Sequence, residues 1–356
     1  MEALNEKTLD YSAYAKSHEL NNAAALIRNM AENYLTVKRI MDRRQATIPL
    51  FEEYGGRGPA IVTASGPSLT EAMPYLRELR DKLGAKIFAG VSQTWALEEA
   101  KVRPDYVTTN DMWPDTTRYM PRTNELKRAA KRITPIAHPG VWREFLHWPG
   151  MKDNGLLFFV RQVEERAPAE EEPLTEVEET VLMGMRRRYL STIVSIMAGL
   201  LYSGNNPEVK HPIGAQLYLA PDTALQAAMI ATTMGHDPIY LVGYDQCFWK
   251  GKNRARTVTG DGRIYESDSY DAVAEKTESG FGASKNMLYY RTFALIYQAR
   301  INMRLVEVVV DGTPGNLQYL PRAPLEDLLT SSVEIPSRED MMLTLKVFFK
   351  KFGLVK

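Results

Sequence analysis

GPAIVTASGPSLTEAM, residues 58–73, decides how the rest of the chain is read. Ala60, Ile61 and Val62 form a short apolar run of the kind found in a buried parallel strand. The run breaks at Ser65-Gly66-Pro67-Ser68, and an amphipathic helical pattern starts at Leu69. Strand, small-residue turn and helix start together offer backbone N–H groups and a positive helix end to a phosphate. Gly66 permits close approach of a ligand to the backbone, Pro67 fixes the exit, and Ser68 is an N-cap with a hydroxyl. Residues 65–69 are therefore read as an anion cradle. The stretch is neither G-x-G-x-x-G nor a Walker A loop, because the glycine spacing and the lysine are missing.

Working outward, strand and helix signals alternate. Strands are expected at 59–64, 86–91, 105–109, 133–137, 156–160, 238–243 and 305–310, and helices at 69–83, 93–102, 190–203, 221–234 and 284–303. This alternation argues for an α/β protein: a Rossmann-like, doubly wound, mostly parallel sheet with helices on both faces. Apolar residues at helical spacing between Ala23 and Met41 predict a helical N-terminal segment over 1–54, closed by Gly55-Gly56-Arg57-Gly58. The main Rossmann-like domain is expected at 59–325, interrupted by a Glu-rich insert at about 164–180. A C-terminal helical tail follows at 326–356. The insert and the polar loop at 250–269 are expected to fold over the site as a mobile lid.

Lysine plus arginine equals aspartate plus glutamate, 44 each, so no net field draws the chain to nucleic acid or to an anionic membrane. The lone Cys247 excludes an internal disulfide and any zinc site of several thiolates. No run approaches ~18 consecutive apolar residues. The N-terminus lacks the basic-then-apolar pattern of a secretory signal. A cytoplasmic location is expected.

In a doubly wound sheet ligands sit at the carboxyl ends of the strands, near the reversal of strand order. Here those ends carry Ser65-Gly66-Pro67-Ser68, Ser92-Gln93, Asn110-Asp111, His138 and Asp245-Gln246. Asp111 and Asp245 are the acidic candidates, able to hold a magnesium ion between phosphates or to accept hydrogen bonds from a ribose or base. His138 is a candidate general base or acid, with Asp245 as the second catalytic candidate.

GPAIVTASGPSL, KIFAGVSQTWALEEAKVRPDYVTTND and GHDPIYLVGYDQCF, closed by LVEVVVDGTPGNLQYLP, resemble one family over residues 59–325. It joins motility-associated-factor (Maf) glycosyltransferases to archaeal hydroxymethylpterin diphosphokinase-like (MptE-like) proteins. The same turn is similar to the CMP-binding turn of Rossmann-like bacterial sialyltransferases, where a polar residue after the second strand and an Asn after the third touch the nucleotide. Ser92 with Gln93, and Asn110, stand in those places. The chain departs from the pattern at Ser65, where Gly, Ala or Asn is usual, and at Tyr244-Asp245-Gln246.

The resemblance implies a transferase with a nucleotide-activated donor. The leading expectation is a glycosyltransferase using a nucleotide sugar, CMP-linked for preference, and acting on a protein or glycan hydroxyl. The alternative is an ATP-dependent pyrophosphokinase acting on a small alcohol, with magnesium on Asp111 and Asp245. A second alternative is a non-catalytic nucleotide-binding or assembly protein.

Overall fold

The computed structural model describes residues 25–40 except 27, 58–160, 216–217, 220, 222–249, 252, 254–265, 275–276, 282–283, 303–310 and 320–351. The Glu-rich insert, the expected helix at 190–203 and nearly all of that at 284–303 lie outside these residues. Five strands open the sheet: β1 (Gly58–Thr63), β2 (Lys86–Gly90), β3 (Tyr106–Thr108), β4 (Thr134–Ala137) and β5 (Leu156–Leu157). A separate parallel pair follows, β6 (Phe159–Val160) with β7 (Gln216–Leu217). Then come β8 (His236–Val242), two short antiparallel pairs, β9 (Thr257–Val258) with β10 (Ile264–Tyr265) and β11 (Glu275–Lys276) with β12 (Gly282–Ala283), and finally β13 (Leu305–Val309) and β14 (Arg322–Pro324).

The main sheet has eight strands in the order β14-β13-β8-β1-β2-β3-β4-β5, and every pairing in it is parallel. Val62 of β1 and Leu241 of β8 are direct register partners. From β1 the chain winds one way to β5, then crosses over and winds the other way through β8 to β14. The reversal of strand order therefore lies between β1 and β8.

Strand side chains alternate between the two faces, as a two-residue period requires. Ile61, Ile87, Tyr240 and Val306 meet Leu69, Leu76, Leu79, Trp95, Leu325 and Leu328 on one face. Ala60, Val62, Phe88 and Leu241 meet Leu225, Ala228 and Met229 on the other. The helix Thr223–Thr233 is buried from Ala224 to Ala231, consistent with its apolar composition all round. The fold is α/β and doubly wound.

Three local differences from the sequence reading have simple causes. The expected helix at 69–83 is split into Ser68–Ala72 and Leu76–Leu83 by a 3-10 turn at Met73–Tyr75, because Pro74 supplies no N–H to continue the ladder. The strand expected at 156–160 divides, its second half leaving the main sheet for β7. The described part of the 250–269 loop is a hairpin docked on the body. Ala255 N–H donates to the Ser65 carbonyl at 2.8 Å, and Gly260 exchanges backbone bonds with Arg118 and Arg122. Its Ala255 end packs on the β1 turn.

Candidate functional site

At the β1–β8 boundary the polar groups face one another. Ala64 N–H donates to the Val242 carbonyl at 2.8 Å, and Gly66 N–H to the Gly243 carbonyl at 2.7 Å. A Cβ on Gly66 would lie 2.4 Å from the Gly243 oxygen and 2.7 Å from Asp245 Oδ2. Asp245 is buried, and its carboxylate accepts from Ser68 N–H at 2.7 Å and from the Ser68 hydroxyl. A carboxylate at a helix start satisfies the same N–H groups that a phosphate would. The cradle expected at 65–69 is accordingly corrected: an aspartate of the chain itself already holds it. Gly66 serves strand-to-strand approach. Pro67, Ser68 and Leu69 are buried, while Gln246 is half-buried in a left-handed conformation, φ 49°. Burial raises the Asp245 pKa, with both Ser68 hydrogen bonds opposing the rise.

The ends of β2 and β3 are different. Gln93 is 1% exposed, and neither its amide oxygen nor its amide nitrogen has a partner among the described residues. Such a buried orphan costs about 1–3 kcal/mol. Ser92 beside it is half-buried. Asn110 donates to the Ala220 carbonyl at 2.8 Å and accepts from the Thr223 hydroxyl at 2.5 Å, tying β3 to the start of the Thr223–Thr233 helix. Asp222 caps that helix through Leu225 N–H at 2.8 Å and accepts from the Tyr244 hydroxyl at 2.7 Å.

Asp111 follows on an open edge. The residue is exposed, yet the protein surrounds its carboxylate closely enough for desolvation to raise its pKa. Hydrogen bonds from Thr116 and Thr109 and the charge of Arg254 oppose the rise, and Asp115 adds to it. A carboxyl with a raised pKa at a strand end is equipped to take a proton from an alcohol.

His138 does not serve as the sequence reading expected. It is fully buried, its ring lies 5.5 Å from that of Phe158, and its Nδ1 accepts from Gly140 N–H at 3.1 Å. Burial pushes its pKa down to about 3, a backbone hydrogen bond at Asn110 acting the other way. It is a neutral interior group whose Nε2 has no hydrogen-bond partner among the described residues. The joint magnesium site on Asp111 and Asp245 is corrected as well. They follow β3 and β8, strands separated by β1 and β2, so their strand ends lie three spacings or about 14 Å apart. No group of three potential ligands occurs among the described residues. A surface depression is lined by Pro74 of the 3-10 turn and by Arg77, Glu78, Asp81 and Lys82 of the helix Leu76–Leu83, none of them a strand-end residue.

Asp222 and Thr223 escaped the sequence reading, and Tyr244 was read only as part of a strand end. Asp222 signals only a helix cap, and its link to Tyr244 spans 22 residues.

A parallel doubly wound sheet with polar groups gathered at its carboxyl edge is a Rossmann-like architecture. Residues 28–156 match the family model described as 6-hydroxymethylpterin diphosphokinase MptE-like, which bears out the resemblance carried by the motifs. In structure the chain is similar to the MAf glycosyltransferase from Magnetospirillum magneticum AMB-1, at 12% identity and a TM-score of 0.45. That likeness covers 93% of this chain and 45% of the other, so the chain spans less than half of that protein's length. No curated protein matches the chain in sequence. No helix among the described residues is long and apolar enough to cross a membrane.

Proposed function

We propose that this protein is a transferase with a nucleotide-activated donor, the nucleotide lying across the ends of β2 and β3. The observation that carries the reading is the amide of Gln93, without a partner among the described residues, buried beside Ser92 and followed across the sheet by Asn110 and Asp111. Buried polar groups left without partners are costly, and a ligand that supplies the missing donor and acceptor repays that cost. A base or ribose edge offers both. Under this reading Arg254, whose charge reaches Asp111, is the cation that meets a donor phosphate.

Transfer to an alcohol needs a group that accepts the hydroxyl proton as the new bond to oxygen forms. Asp111 is the accessible carboxyl for that role, and Asp245 is engaged in holding Ser68. A nucleotide sugar, CMP-linked for preference, is the favoured donor, with a protein or glycan hydroxyl as acceptor. The second reading, an ATP-dependent diphosphokinase acting on a small alcohol, is favoured by the description of the matched family model. Under that reading Asp111 would contribute to magnesium binding without Asp245.

Calorimetry with CMP, UDP, ADP and ATP, each with and without magnesium, tests the proposal. Cytidine or uridine nucleotides binding without magnesium supports the sugar-transfer reading. Binding confined to ATP with magnesium replaces it with the second. Failure of every nucleotide to bind removes both.

A further inference from the structure

The helix at residues 28–40 carries Asn29 and Asn33, four positions apart and therefore on one face. Both are buried, at 1% and 2% exposure. Asn29 Nδ2 donates to the Met112 carbonyl at 2.8 Å and to the Gly140 carbonyl at 3.1 Å. Asn33 Nδ2 donates to the Pro139 carbonyl at 2.8 Å and to the Val141 carbonyl at 2.9 Å. Two side chains thus hold four backbone carbonyls, one just beyond β3 and three just beyond β4. Such carbonyls belong to loops that have no ladder of their own, and a buried carbonyl needs a donor.

The surrounding packing serves the same junction. Met112 sits in a small apolar cluster with Ala25, Leu26 and Met30. Leu26 fills the space over Gly140, where an added Cβ would lie 2.1 Å from its Cδ1. Trp142 N–H donates to the Asp111 carbonyl at 2.9 Å, so the loop after β4 grips the backbone of Asp111 itself. Asp111 lies between Asn110 and Met112, with the loop after β4 on its other side.

We propose that Asn29 and Asn33 are positioning residues for the candidate site: they lock the loops after β3 and β4 together and so set where the Asp111 carboxylate stands. The N-terminal helix is then a working part of the site rather than an appendage. The clamp itself rests on geometry alone. Its consequence for turnover rests on the role given to Asp111 above.

The test uses the full chain with Asn33→Ala and with the double variant Asn29→Ala/Asn33→Ala. The single variant leaves the Asn29 bonds intact, and it keeps the test open if the double variant does not fold. Hydrogen exchange is the first readout, and it does not depend on any activity. Peptides covering 109–117 and 138–142 should exchange about tenfold faster while β1, β2 and β8 keep their protection. Unchanged exchange in those peptides, or loosening spread evenly over the sheet, overturns the clamp. The second readout separates positioning from folding. Turnover should fall at least tenfold with nucleotide affinity held within about twofold. A loss of turnover that only tracks the folded fraction overturns the positioning role. If the wild-type protein transfers no group, the transferase reading fails by itself, and the exchange result still decides the clamp.

Discussion

The turn after β1 and the ends of β2 and β3 have similar polar compositions and opposite fates. At the turn, each polar group singled out has found another: Ser68 holds Asp245, Gly66 holds Gly243, and Ser65 accepts from Ala255. At the neighbouring ends, Gln93 has no partner among the described residues and Asp111 opens to solvent. The most conspicuous motif in the chain therefore closes the sheet at its reversal point. The less conspicuous pair beside it keeps unfilled hydrogen-bonding capacity. A motif describes what a backbone can bind, and the occupant is chosen by whatever the fold brings within reach.

Substitution at Gly66 gives the largest expected effect. Gly66→Val drives a side chain into the Gly243 carbonyl and the Asp245 carboxylate, and neither can move without separating β1 from β8. A loss above about 3 kcal/mol is expected, at the upper end of overpacking costs. Urea unfolding checks it. A variant that keeps its unfolding midpoint but loses nucleotide binding would show that the turn faces a ligand after all.

Asp111→Asn comes next and acts on the other region. Turnover should fall by about 10²–10⁴, the range for removing a general base. The unfolding midpoint should hardly move, because the side chain is exposed. Unchanged turnover would return the proton-accepting role to another group.

His138 separates interior from site by pH. Its pKa lies at about 3 in the folded chain against an ordinary 6.5, so the unfolded chain binds the extra proton between those values. Stability from the neutral ring is present above pH 6.5 and is lost as pH falls through that window. The loss is on the order of a few kcal/mol at full protonation. Asp245 has the opposite sign: its folded pKa is raised, so its contribution declines as pH rises above the ordinary 3.8. His138→Asn keeps an acceptor for Gly140 N–H and removes the titration. Unfolding midpoints from pH 7 to 4 should fall less steeply in this variant, and identical slopes would contradict the burial argument.

The smallest effect belongs to Gln93→Met, which keeps the volume and deletes the orphan amide. Stability should hold or rise by about 1 kcal/mol. Nucleotide affinity should fall about tenfold, or ~1.4 kcal/mol. A loss of stability with unchanged affinity would mark Gln93 as an ordinary interior residue.

The strands were legible because burial on both faces demands short apolar runs, and Ala60–Val62, Ile87–Ala89 and Ile239–Val242 supply them with polar residues at their carboxyl ends. β14 was not, because Arg322-Ala323-Pro324 carries no strand pattern and is defined only by its pairing with Glu307–Val309. His138 was misjudged for a similar reason. A strand-end histidine looks identical in sequence whether it faces a pocket or Phe158.

Local sequence thus determined the alternation of elements, the parallel sheet and the edge at which polar residues collect, since backbone propensity and side-chain period act over a few residues. Tertiary structure alone decided which of those polar groups satisfy one another. The Ser68–Asp245 bond spans 177 residues and the Asn29–Gly140 bond 111, separations over which sequence pattern carries no register. Whether a carboxylate closes a turn or faces solvent is fixed by which strands become neighbours, and strand order is a property of the whole chain.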